Sequence, residues 1–186
     1  MKNLTKIAFA VSLMTLSSAA ISATADGTEG ATSTATFDVT LTLSEQVMVS
    51  ELAGNMGGFL FGAYGGAGDL TATQDICVYH NGDGVYDITI SDDSATAGFN
   101  VEDAGDTTAI TMDVVFNDEQ GVLGIPTTMA EATKIFGQTA ANTTNQDCSA
   151  GIGMSASIEV TLAALDLQAA PAGAYDAQLT LLVEPN

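Results

Sequence analysis

The sequence predicts an all-β protein, a sandwich of antiparallel sheets, on three observations. Short runs alternate apolar and polar residues with a period of two, in residues 31–49, 70–80, 85–91, 109–117, 154–163 and 175–183. Gly, Asn, Asp and Pro punctuate these runs at intervals that suit about six to eight strands. Helical periodicity is nearly absent, which leaves the two-sheet sandwich as the architecture.

Residues 1–25 stand apart from this pattern. Lys2 and Lys6 precede an apolar run over 7–16, and small residues end in Ala23-Thr24-Ala25. This is the layout of a secretory signal peptide, too short and wrongly flanked for a membrane anchor. No later run approaches the roughly 20 apolar residues that a membrane span requires. The exported chain is expected to be soluble.

The first strand is the most unusual. In residues 31–49 (ATSTATFDVTLTLSEQVMV), Ala35, Phe37, Val39, Leu41 and Leu43 fall on one face. Thr36, Asp38, Thr40 and Thr42 fall on the other. The run opens the exported chain, and no turn signal follows to fold it back as a hairpin. A long apolar strand without a partner invites aggregation unless something is built to receive it. The expected receiver is a neighbouring copy of the same chain.

Loss of residues 1–25 leaves Lys134 as the one basic side chain against 23 acidic ones, a formal charge of −22. Nucleic acid is excluded as a partner, because phosphate binding demands a basic face. Adhesion to an anionic membrane surface is disfavoured for the same reason. About 160 residues suffice for one domain with a genuine core. Sparse charge with abundant Gly, Ala, Thr and Asp suits an extracellular β protein better than an intracellular enzyme.

The middle of the chain continues the strand pattern. Residues 57–66 (GGFLFGAYGG) form a glycine-framed apolar island whose Phe59, Phe61 and Tyr64 are expected to pack in the core. Residues 70–80 alternate and carry Cys77. Asn81-Gly82-Asp83-Gly84 predicts a hairpin turn into 85–91, where Tyr86, Ile88 and Ile90 face the core. Residues 92–108 read as an acidic, flexible stretch anchored by Phe99 and Val101. In 109–117, Ile110, Met112, Val114 and Phe116 share the inner face.

Thr128 and Glu131 fit a capping box, which predicts a short helical turn through Phe136. A polar loop over 139–149 contains Cys148. Met154, Ala156, Ile158, Val160 and Leu162 then alternate, as do Tyr175, Ala177, Leu179, Leu181 and Val183 before Pro185. Cys77 and Cys148 are the only cysteines, and in an exported chain an isolated pair most simply forms one disulfide. Closing that loop stabilises by about 4 kcal/mol on the chain-entropy view.

Other chemistries find little support. Asp83, Asp87, Asp92, Asp93, Glu102, Asp103 and Asp106 suggest calcium, but residues 81–84 lack the complete DxDxDG loop with its distal glutamate. These carboxylates are expected on solvated faces, and no metal ligand is assigned. His80, the single histidine, sits beside a turn outside any GxSxG or HExxH context and is expected at the surface. No catalytic residue and no cofactor are assigned, so the protein is expected not to be an enzyme. The alternative is a secreted monomeric sandwich that binds carbohydrate or calcium and closes its own sheet with the N-terminal strand.

Several stretches, taken in order, carry a family resemblance. An alternating N-terminal strand is followed by Phe59-Leu60-Phe61-Gly62 and by ICVYHNGDGVYDITI over 76–90. Residues 109–118 come next, and PAGAYDAQLTLLV over 171–183 closes the series. This order resembles the spore coat protein U domain family, which includes subunits of archaic chaperone–usher pili. The resemblance spans the whole exported chain. One departure is that 47–53 has no cysteine, where family members often carry one after the donor strand.

The resemblance implies an immunoglobulin-like β-sandwich, incomplete for want of its last strand, with an N-terminal donor strand. The divisions would be 1–25 signal peptide, 26–45 donor-strand extension and 46–186 pilin domain. The groove would lie beside the edge strand that carries Tyr175, Ala177, Leu179, Leu181 and Val183. A periplasmic chaperone would fill it first, and then the next subunit's Ala35, Phe37, Val39, Leu41 and Leu43. The implied partners are like subunits in a head-to-tail polymer, the chaperone and an outer-membrane usher. The implied destination is a fimbria at the cell surface, reached through the periplasm, with a role in attachment or biofilm.

Overall fold

A computed structural model describes residues 22–51, 58–105, 107–121, 124–146, 148 and 153–186. Most of the predicted signal segment, and Asp106, lie outside the described residues. The chain divides into two compact units, residues 1–44 and 45–186.

In the first unit, β1 (Ser22–Ala25) pairs antiparallel with β2 (Thr36–Asp38), placing Phe37 opposite Ala23. The single strand expected over 31–49 is therefore corrected. Only residues 36–38 form a ladder, Ala35 and residues 39–46 belong to no strand, and the apolar end of the run is a separate strand of the second unit. Alternation fixes the face each side chain takes. A ladder also needs a partner backbone, and the one that β2 has here, β1, lies inside the predicted signal segment, so β2 keeps no ladder once that segment is removed.

Among the described residues the second unit carries ten strands and one short helix. These are β3 (Val47–Ser50), β4 (Leu70–His80), β5 (Tyr86–Ser91), β6 (Asn100–Asp103), β7 (Ala109–Asn117), β8 (Pro126–Thr128) and β9 (Ile135–Gln138). They are followed by β10 (Ala156–Leu162), α1 (Ala164–Ala169), β11 (Tyr175–Asp176) and β12 (Thr180–Pro185). The larger sheet runs β11-β6-β7-β10-β4-β3, with β8 beside β7. The smaller runs β12-β5-β9. Every named strand pair is antiparallel, as the all-β, immunoglobulin-like prediction requires.

The core forms where the inner faces meet. Ile110, Met112, Val114 and Phe116 of β7 are buried, as are Ala156, Ile158, Val160 and Leu162 of β10. Tyr86, Ile88 and Ile90 of β5 close on them from the smaller sheet. The Tyr86 and Phe116 rings meet edge to face, 6.5 Å between centroids. Burial, and after it nearby Asp118, pushes the Tyr86 phenol above its ordinary range. The Cys77–Cys148 disulfide forms across 5.9 Å between Cα atoms and ties β4 to the connection that precedes β10.

Three further expectations are corrected. Residues 81–84 do not make a hairpin, because β4 pairs with β3 and β10 while β5 pairs with β12 and β9. The turn carries the chain from one sheet to the other. The helical turn expected from Thr128 to Phe136 is instead β8, a bend and β9. In it Ala132 has φ 53° and its N–H donates to Ile90 O at 2.8 Å. The acidic stretch expected as loop over 92–108 holds a strand, β6, and among its described residues Asp92, Glu102 and Asp103 accept backbone N–H groups around it, with Phe99 buried.

Candidate functional site

An apolar groove of about 1010 Å³ opens among the described residues of the second unit. Its floor is one end of the larger sheet's inner face, where Leu162 is paired with Leu70 on one side and Met112 on the other. Ile90 and Leu181, paired across β5 and β12, supply the second wall. Leu167 of α1 and Phe59, Phe61 and Tyr64 of the glycine-framed island complete the rim.

The residues expected along the acceptor edge do not lie on one strand. Tyr175 sits in β11 and pairs with Asp103 of β6 in the larger sheet. Leu181 and Val183 sit in β12 and pair with Ile90 and Ile88 in the smaller one. Residues 177–179 cross between the sheets, and the Gln178 N–H donates to Asp93 Oδ1 at 2.7 Å at that point. The Tyr175 hydroxyl donates to Pro171 O at 2.8 Å and fixes the approach to β11.

Tyr175, Ala177, Leu179 and Leu181 all line the groove, whereas half-buried Val183 packs on the core outside it. The groove thus occupies one end of β12 and not its whole length. Among the described residues β12 has β5 on one side and no ladder on the other. An apolar cleft beside an unpaired strand edge can accept an extended segment, by main-chain hydrogen bonds to the edge and side chains into the cleft.

The expected donor side chains are presented to solvent. Phe37 is 66% exposed, Val39 73%, and Leu41 and Leu43 78% each. Ala35 is exposed as well. Such a run of large apolar side chains is rare on a protein that keeps to itself.

His80 is not at the surface but fully buried, which corrects the expectation. Its Nδ1 accepts from the Gly82 N–H at 2.8 Å and the Gly84 N–H at 3.3 Å, so the ring shapes the inter-sheet turn.

The described acidic residues among those considered for calcium are engaged with the chain's own donors. Asp92 accepts from the Asn100 N–H, Glu102 from the N–H groups of Ala95 and Thr96, and Asp103 from those of Thr107 and Thr108. Asp83 accepts from the Val85 N–H. Asp87, expected on a solvated face, is buried, accepting from the Gly137 N–H and facing Lys134. Lys134 also pairs closely with Glu184, and that hydrogen bond holds its ammonium above the usual range. Among the described residues no three metal-ligating side chains gather.

Sequence reasoning missed α1 and β6. The string ALDLQA has good helix propensity, a readable if short signal. Its first free N–H, on Ala164, is met by Asp69 Oδ1 at 2.8 Å, a cap from 95 residues away that no local pattern announces.

No protein family's sequence profile matches the chain, and no curated protein matches it. Among solved structures the fold is similar to a chain from work described as "Chaperone-tip adhesin complex is vital for synergistic activation of CFA/I fimbriae biogenesis". The TM-score is 0.53 at 10% identity, over 75% of this chain and 42% of that one. The present chain therefore spans less than half the length of that neighbour. At this identity the likeness is one of fold, and that fold occurs in a complex of fimbrial biogenesis.

Proposed function

We propose that this chain is a structural subunit of an extracellular fimbria, of the spore coat protein U type, assembled by donor-strand exchange. The observation that carries the reading is a pairing of opposites. One unit bears an apolar groove beside the unpaired edge of β12, and the other bears an exposed, alternating apolar segment. Ala35, Phe37, Val39, Leu41 and Leu43 of one copy enter the groove of the next, where Leu179, Leu181 and Ile90 receive them. Burying five such side chains contributes on the order of 10 kcal/mol before ordering costs. Repeated head to tail, the contact does not close on itself and builds a filament.

On this reading a periplasmic chaperone shields the groove before an outer-membrane usher delivers the subunit to the cell surface. The protein is not an enzyme and uses no cofactor. The fold shared with a chain of a fimbrial chaperone–adhesin complex supports the assignment.

The test is size-exclusion chromatography of the exported chain beside a deletion of residues 26–43. Ladders of oligomers that resist mild heat and detergent, lost on deletion, are the expected outcome. A monomer that is well folded with the segment and destabilised without it would overturn the reading. The strand would then belong to its own sheet, and a sugar and calcium screen would follow.

A further inference from the structure

We propose that residues 58–64 are a strap that closes over a strand added at β12. The inference rests on the donor-strand reading and concerns how the occupied groove is held shut. The segment has the side-chain pattern of a strand. Phe59 and Phe61 are half-buried toward the core, while Leu60 between them is 79% exposed. Yet it belongs to no sheet, and among the described residues no backbone hydrogen bond joins 58–64 to another segment.

The strap is hinged and lightly tethered. Gly58 and Gly62 have φ of +103° and +69°, and a Cβ at either would meet nothing within 4 Å. Glycine tolerates such dihedrals and the large changes in them that a pivot needs. Besides the packing of Phe59 and Phe61, the strap's hydrogen-bonded tether among the described residues is one exposed side chain of α1. Gln168 Nε2 donates to the Tyr64 hydroxyl at 3.3 Å and to Gly66 O at 3.4 Å.

The strap and the outer edge of β12 bound the same groove, and among the described residues neither the strap nor that edge has a ladder. An incoming strand satisfies β12 by pairing with it and leaves its inward side chains against the core. Phe59 and Phe61 then gain a second apolar surface to cover. Because those contacts form after docking, they slow departure and not arrival.

The experiment uses the full exported chain carrying Leu41→Asp, which disables its own donor, and a synthetic peptide of residues 33–44. Association and dissociation rates are measured on this host, with and without Phe59→Ala plus Phe61→Ala. Amide hydrogen exchange of 58–64 in the host with an intact strap, free and peptide-bound, supplies a readout that needs no strap substitution. The expected result is an unchanged association rate, dissociation about tenfold faster in the double variant, and slower exchange of 58–64 on binding.

Unchanged dissociation, or unchanged exchange with peptide bound, overturns the strap and leaves the donor-strand reading standing. Faster association in the double variant also overturns it, since the segment would then obstruct the groove. Absence of peptide binding to either host brings down the donor-strand reading, and the strap with it.

Discussion

Glu102 shows how the acidic residues serve the fold. Its carboxylate accepts the Ala95 and Thr96 N–H groups at 3.1 Å each, and these bonds hold its pKa below the ordinary 4.5. A carboxyl lowered on folding contributes stability that is fully present above its unfolded value and is lost as pH falls through the folded value. Glu102→Gln is therefore expected to lower the melting temperature at pH 7, and the gap from the parent should shrink as the pH drops below 4.5. Thermal scans from pH 7 to pH 3 measure it, and a gap that is constant over the range would refute the charge-assisted role. In the sequence Glu102 is indistinguishable from its acidic neighbours, because a carboxylate's partners here are backbone N–H groups whose directions only the folded turn defines. His80 escaped for the same reason. A histidine beside Asn-Gly-Asp-Gly reads as surface until the turn's own Gly82 and Gly84 N–H groups are seen converging on Nδ1.

At the scale of elements, faces were legible and pairings were not. Period-two alternation identified the buried side chains of β5, β7 and β10, because burial on one side of a strand is written in every second residue. The same rule could not say that β4 and β5 belong to different sheets, nor that 175–183 changes sheets at Gln178. Partner choice depends on residues far away in sequence, such as Asp93. The groove was legible only in part for that reason: its β12 wall came from alternation, while Leu167 and the island wall needed the tertiary fold. The donor segment gives this distinction an experimental form. Leu41 and Thr40 are both exposed, so an aspartate at either should leave the sandwich's unfolding free energy within about 0.5 kcal/mol of the parent's. Leu41→Asp should nonetheless abolish the oligomer ladder, since a charge would enter an apolar groove, whereas Thr40→Asp should preserve it. Equal loss in both variants would show that the segment does not insert with the face read from its alternation.

At the scale of the molecule, charge opposes the proposed assembly while apolar burial drives it. With residues 1–25 removed, each copy carries one basic side chain against 23 acidic ones, and its one lysine is already engaged by Asp87 and Glu184. Two such copies approach against mutual repulsion, so the groove must win its partner by contact and not by long-range steering. The repulsion reaches about 30 Å at 0.01 M salt and about 8 Å at 0.15 M. Self-association of the exported chain is accordingly expected to speed up as salt rises through that range, by about tenfold or more if encounter limits the rate. A partner that shields the groove before assembly has the opposite requirement. It would be positively charged where it faces this chain, and its association would slow over the same salt range. Stopped-flow light scattering of the exported chain alone, at several salt concentrations, separates the cases. Assembly that slows with salt would mean that contacts between copies are electrostatically complementary, which a surface of this composition cannot supply.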